Sequence, residues 1–333
     1  MRWVVYTVLG AVFWAHYGIA AKFSSLGYEH ASELTFFWVC LVYGLGGTLI
    51  ALVLSKAHDS TDTVFPVRSK GWAAMAGLVG AGGAVCVISA MQTGNPLYVM
   101  PLVFGPAQAF NVLFTKMLQG FKNRPNARFW FGLAGLIVFS ILVQGLKSGA
   151  GVEGLEGGSW LVWALLAAAC WGMYGVASRL AVMHSAKASG GHGSHHKVLL
   201  GVSLVYAAFG VGVWVFGALG LTGAITSEAL FQTSDGVVFG LLTGVAGMGG
   251  AALIIPANSV HGSPGPIVVM AIVFMVAAAV NAVATSVWES VYLDIAPNLT
   301  APFLLSLVGL AASGLVFSLN SPNKPPKPAA LPS

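Results

Sequence analysis

Residues 93 to 115 read Thr93-Gly-Asn-Pro96-Leu-Tyr-Val-Met100-Pro101-Leu-Val-Phe104-Gly-Pro106-Ala-Gln108-Ala-Phe-Asn111-Val-Leu-Phe-Thr115. The stretch leaves one apolar segment, turns tightly, and starts another that carries three prolines and a mid-segment amide. Residues 261 to 285 do nearly the same: His261-Gly-Ser-Pro264-Gly-Pro266-Ile-Val-Val-Met270-Ala-Ile-Val-Phe274-Met-Val-Ala-Ala-Ala-Val-Asn281-Ala-Val-Ala-Thr285. At an offset of 170, Met100 meets Met270, Phe104 meets Phe274, Asn111 meets Asn281 and Thr115 meets Thr285. A chain that repeats its helix-breaking turn and its one mid-helix amide is expected to repeat its architecture.

The surrounding composition names the solvent. The chain is 57% hydrophobic and 8% charged, against roughly 25% charged in a soluble domain. That pattern specifies an integral membrane protein. Ten segments are apolar over the roughly 17 to 25 residues a bilayer requires. They lie near 3–23, 33–55, 70–92, 97–118, 128–146, 158–180, 197–221, 236–259, 264–288 and 299–319. With the N-terminus inside, thirteen of the fifteen lysines and arginines fall on the inner side, and only Lys22 and Lys147 fall outside. Such a bias predicts that both termini are cytoplasmic. The net charge of +5 therefore reports topology, and no nucleic-acid partner is expected. Cys40, Cys86 and Cys170 fall inside spans at spacings that match no metal or disulfide framework.

The repeat extends outward in both directions. Span one carries Trp3, Trp14-Ala-His16-Tyr17-Gly18 and Lys22; span six carries Trp160, Trp171-Gly-Met173-Tyr174-Gly175 and Arg179, at an offset of 157. A first segment that mirrors a mid-chain helix reads as structural, not as a cleaved leader. Val42-Tyr43 returns as Val205-Tyr206, and Gly77-Leu-Val-Gly-Ala-Gly-Gly-Ala84 as Gly244-Val-Ala-Gly-Met-Gly-Gly-Ala251. Runs of small residues are expected to pack helices together in lipid. Five spans per copy turn the second copy over in the membrane. The expected fold is thus an all-α polytopic membrane protein of ten transmembrane helices in two inverted five-helix repeats, 1–150 and 151–320. A proline-rich tail at 321–333 is expected to be disordered and cytoplasmic. The tract holding His184, His192, His195 and His196 lies among glycines and serines and reads as a linker between the halves, not a metal site. Asn298-Leu-Thr300 is a glycosylation sequon on the outer side.

Ten spans, an inverted five-plus-five repeat, short loops and inner termini resemble the drug/metabolite transporter superfamily. Trp14-Ala-His-Tyr-Gly18 and Trp171-Gly-Met-Tyr-Gly175 are similar to the Trp-Gly motifs near the start of each half in its EamA-type members, with Ala15 standing where glycine is usual. The resemblance covers the chain from about residue 3 to 319. Gly94-Asn-Pro-Leu-Tyr-Val-Met-Pro101 also resembles the glucose/rhamnose-transporter branch. The resemblance implies alternating access, with a cavity lined mainly by spans one to four and six to nine.

Polar groups at mid-depth are costly and are candidates for function. No Asp or Glu falls in the middle of a span. Asn111 and Asn281 do, and Gln108 shares a helix face with Asn111. Carboxamides both donate and accept, which suits a neutral ligand; the competing role is interhelical glue worth roughly 0.6 kcal/mol. Trp14, Tyr17, Tyr43, Trp171, Tyr174 and Tyr206 are candidate cavity walls. His16 is the titratable group well inside a span, and a histidine there is a candidate to carry a coupling proton. Pro96, Pro101, His261 and Pro264 are candidate gate residues at the breaks.

The expected function is a secondary transporter of a small neutral or weakly polar metabolite (sugar, nucleoside or amino-acid-like), working as a facilitator or with proton coupling. A channel or a non-transporting scaffold is the alternative. No clustered acids, metal ligands or activated nucleophile point to an enzyme, and no cofactor is expected. The expected setting is a bacterial inner membrane, with the protein as a monomer or homodimer.

Overall fold

A computed structural model describes residues 2–26, 31–57, 64–93, 96–121, 123–145, 159–190, 193–219, 229, 231, 233–258, 263–293 and 300–322. His192, His261, Asn298 of the sequon and the tail from residue 323 lie outside the described residues. Ten helices are described: α1 (Arg2–Leu26), α2 (Ala31–Ala57), α3 (Val67–Thr93), α4 (Pro96–Gln119), α5 (Ala127–Gly145), α6 (Ser159–Ala188), α7 (His195–Ala218), α8 (Ser234–Ala257), α9 (Pro266–Leu293) and α10 (Ala301–Leu319). Each coincides with one expected span.

Turn chemistry takes over where the apolar runs stop. Pro96 and Pro266 open α4 and α9, where the missing N–H would have had no helical partner. Gly120 follows α4 with φ 71°, the left-handed ending that glycine adopts without strain. Asn126 accepts from the Phe129 N–H at 2.9 Å as α5 begins. Thr233 does the same for the Gly236 N–H at 3.1 Å at the head of α8, so both helices start with an orphan donor satisfied.

By length and composition α1, α2, α3, α6, α7, α8, α9 and α10 can each cross a bilayer. The remaining two are less apolar or shorter than expected. In α4, Gln108, Asn111, Thr115 and Lys116 dilute the apolar run; in α5 the apolar stretch is Ala127–Leu142. The chain is an all-helical membrane protein. Its outer faces carry Leu45, Leu49, Val211, Leu305 and Val308, each more than 60% exposed; lipid tolerates such a surface where water would not.

Most of the extensive contacts cross the middle of the chain. α1 lies along α8 and α9, while α6 lies along α3 and α4; α2 faces α7, α5 faces α10, and α2–α8 matches α7–α3. Replacing each helix by the one five places along turns one contact into another. Small residues allow these seams to close. A methyl on Gly77 would come 2.6 Å from the Val205 Cβ, and one on Gly244 would come 2.6 Å from the Val42 Cβ. In lipid, where no hydrophobic force drives helices together, such close approach supplies the attraction. The three cysteines are unbridged.

Candidate functional site

The centre of the molecule is built from rings that α1 and α6 contribute in the same order. Trp14 and Trp171 stack with centroids 5.6 Å apart and planes at 26°. Each indole rests on a glycine of another helix, Trp14 on Gly250 of α8 and Trp171 on Gly83 of α3; a methyl at either position would collide with the indole ring. The Trp14 Nε1–H also donates to the Gly247 carbonyl at 3.3 Å. Less than one turn further on, Tyr17 meets Trp171 edge-on at 5.6 Å and 80°. Tyr174 in turn meets Trp14 at 5.7 Å and 57°. Tyr43 of α2 and Tyr206 of α7 stack at 3.9 Å and 4°. Phe104 of α4 and Phe274 of α9, 5.6 Å apart, continue the central stack.

These rings surround a cavity of about 20 Å³ lined by Trp14, Tyr17, Tyr43, Trp171, Tyr174 and Tyr206 together with Gly80, Ala84 and Gly247. That is room for roughly one water molecule, so the rings leave little free space between them. None of the lining residues is charged. All six aromatic side chains are buried. The hydroxyls of Tyr17 and Tyr174 are enclosed and make no hydrogen bond among the described residues; that of Tyr174 lies beside Tyr43 without reaching good hydrogen-bond geometry. A buried polar group without a partner costs about 1–3 kcal/mol. The site therefore holds four phenols in an uncharged box, with the Tyr17 hydroxyl unpartnered among the described residues and the Tyr174 hydroxyl beside only Tyr43.

The six candidate wall residues thus come together, while the candidate amides stand behind them. Asn111 donates its Nδ2–H to the Gly172 carbonyl at 3.1 Å, and Asn281 donates to the Ala15 carbonyl at 2.8 Å. Those carbonyls belong to the residues directly after Trp171 and Trp14. Each amide, on α4 or α9, therefore holds the helical turn that presents an indole. Neither lines the cavity, and their Oδ1 atoms have no partner among the described residues. Gln108 donates to the Ala271 carbonyl at 3.3 Å, joining α4 to α9.

His16 sits half-buried, its Nδ1 2.8 Å from the Val12 carbonyl one turn back on α1, and it is absent from the cavity wall. Lys22 donates to the Met91 carbonyl at 3.1 Å near the end of α3. Arg179 lies against Gly265 (φ 88°), at the entry to α9. The two cations thus stand beside the α3–α4 and α8–α9 turns. Pro264 is buried in the second turn, which Ser263 ties down by donating to the Ala257 carbonyl at 2.7 Å. Pro96 and Pro101 belong to the first turn and a half of α4.

Four contributors were not singled out by sequence reasoning: Phe104 and Phe274 as stack members, and Gly83 and Gly250 as indole seats. The signal was present. Phe104 and Phe274 correspond at the offset of 170, and Gly83 and Gly250 at 167. The glycine runs were read as helix packing, and here the packed group is the site's own indole.

No protein-family model matches the chain, and no curated protein matches it. Among solved structures, a protein crystal structure superposes with a TM-score of 0.62 at 16% identity, covering 96% of this chain and 98% of its own. At that identity the likeness shows the fold alone.

Proposed function

We propose that this protein is a secondary transporter that carries a small neutral or weakly polar metabolite across the membrane by alternating access. The observation that carries the reading is the narrow aromatic cavity formed by corresponding residues of the two chain halves: Trp14 with Trp171, Tyr17 with Tyr174, Tyr43 with Tyr206. We read 1–150 and 151–320 as inverted five-helix repeats. The matched helix contacts and the sequence offsets support this, as does the resemblance to the drug/metabolite transporter superfamily. Inverted repeats set a substrate site at mid-depth between the halves, and rocking of one half against the other opens it to either side.

In this reading the six rings bind substrate, while Asn111, Asn281 and Gln108 hold the turns that present them. Lys22 and Arg179, beside the two inter-helix turns, act with Pro96, Pro101 and Pro264 at the gates. His16 lies off the cavity, so the transporter works as a facilitator. The bias of lysines and arginines supports cytoplasmic termini, and we read the setting as a bacterial inner membrane.

Substrate counterflow in proteoliposomes tests the reading, with a panel of radiolabelled sugars, nucleosides, nucleobases and amino acids. A transporter accelerates uptake of label when unlabelled substrate is trapped inside, and Trp171→Ala abolishes the effect. Flux that never shows counterflow would mark a channel. No flux for any panel member would leave a scaffold.

A further inference from the structure

The aromatic cavity also carries information about the shape and charge of what enters it; this inference rests on the transport reading above. Trp14, Trp171, Phe104 and Phe274 form a closed set of near-parallel faces. Trp14–Trp171 lies at 26°, Phe104–Trp171 at 25°, Phe104–Phe274 at 28° and Trp14–Phe274 at 28°. Parallel faces accept a flat body. A ring inserted between the two indoles needs two contact distances, about 7 Å in all, against the present 5.6 Å. The indoles therefore have to move apart, by up to about one ring thickness of 3.5 Å, as the site opens.

Charge narrows the class. The cavity wall contains no acid and no base. A carboxylate or a zwitterion would lose its hydration without gaining a counter-charge there; an ammonium group would have the ring faces alone to replace it, which is why a quaternary ammonium is among the controls below. Hydrogen-bond supply narrows it further. The walls offer four tyrosine hydroxyls, of Tyr17, Tyr43, Tyr174 and Tyr206, each able to donate and to accept, and those of Tyr17 and Tyr174 are enclosed. A hexose presents many hydroxyls around its whole rim, and most would be left without partners, each at a cost to binding. A nitrogen heterocycle keeps its few donors and acceptors on its edge and leaves its faces apolar.

We infer that the transported ligand carries a neutral, planar nitrogen heterocycle, of the nucleobase class, which intercalates between Trp14 and Trp171 while its edge groups satisfy the Tyr17 and Tyr174 hydroxyls. The pseudo-equivalence of the two tyrosines means that the ring is held from both halves at once. Either half can then release it as the site opens to its side.

The test uses the full chain in detergent and in proteoliposomes, with adenine and uracil as planar probes and glucose, glycine and tetramethylammonium as controls. Adenine or uracil raises the thermal midpoint in a saturable manner and the three controls do not. Tyr17→Phe keeps the ring and removes one hydroxyl; it weakens the planar probe about tenfold, the worth of one hydrogen bond. Trp171→Leu weakens it further. Stabilisation by glucose or tetramethylammonium without any by adenine or uracil overturns the heterocycle assignment. So does a Tyr17→Phe variant that binds the planar probes as tightly as wild type.

Failure of the heterocycle is separable from failure of the transport reading through Ala84→Cys, placed in the cavity wall of a chain with Cys40, Cys86 and Cys170 each changed to Ala. A membrane-impermeant maleimide labels it from each side in turn if the cavity opens to both, and adenine or uracil protects it. Labelling from both sides with no protection by either overturns the heterocycle and leaves transport standing. Labelling from neither side, with no probe bound, overturns both.

Discussion

Asn281→Asp exchanges one atom of the side chain for another of similar size, and the structure turns that small change into a large one. The Asn281 amide is fully buried at the middle of α9 and donates to the Ala15 carbonyl at 2.8 Å. An ionised carboxylate there has no hydrogen to offer and faces a carbonyl oxygen. Losing the interhelical hydrogen bond costs about 0.6–1.7 kcal/mol, and an aspartate at the centre of a membrane helix costs about 2.5–3.5 kcal/mol. Together these predict a loss of about 3–5 kcal/mol at neutral pH. When protonated, the acid recovers one O–H donor and most of the loss disappears.

The ionised form alone carries these costs, so stability falls as pH rises from acid to neutral. Equilibrium unfolding in mixed micelles at pH 4.5 and pH 8, with wild type measured beside the variant, reads the effect. Asn281→Ala is the control. It loses the same donor but also removes an unpartnered Oδ1, and is expected to cost within about 1 kcal/mol. A carboxylate variant as stable as wild type at pH 8, or equally destabilised at both pH values, would refute the placement of this amide.

Other consequences follow from the same geometry. Gly83→Ala and Gly250→Ala push a methyl into the Trp171 and Trp14 indoles, and each should lower stability by about 1–3 kcal/mol and change the near-ultraviolet dichroism. Unaltered spectra would remove the indole seats from the argument. Leu49→Ala, on an outer face 63% exposed, should change stability by less than about 0.5 kcal/mol; a larger loss in detergent unfolding would mean that this face is covered. A Cβ at position 82 would stand 3.7 Å from the Cys170 Sγ, close to disulfide reach. Gly82→Cys should therefore cross-link α3 to α6 under mild oxidant and stop counterflow until reduced; undiminished counterflow in the cross-linked protein would argue against relative movement of these two helices. A pH gradient should drive no accumulation, because His16 is tied to its own helix at 2.8 Å away from the cavity wall; gradient-driven uptake lost in His16→Gln would restore proton coupling.

Much of this protein was legible before any coordinates, and the reason is the bilayer. A chain that must satisfy its backbone inside hydrocarbon is left with helices or closed barrels. Apolar runs between charges, prolines and glycines mark out helices, and each of the ten described helices overlaps one of those runs. Pairs at constant offsets drew attention to Trp14, Tyr17, Tyr43, Trp171, Tyr174 and Tyr206 as candidate cavity walls, and the fold brings these rings together. Trp14 and Trp171, or Tyr43 and Tyr206, are 157 and 163 residues apart in the chain and in ring contact in the fold.

What the linear pattern left open was which of two uses each polar or small group serves. An amide inside a helix is equally suited to a ligand or to a neighbouring carbonyl. Only the packing of α4 on α6 and α9 on α1 brings the Gly172 and Ala15 carbonyls within reach of Asn111 and Asn281. A glycine run licenses close approach without saying by what; tertiary packing put an indole against Gly83 and another against Gly250. Periodicity and spacing act along one helix, whereas the cavity wall is shared among six. Its composition is a property of how helices cross, and that is decided by the fit of all their side chains at once.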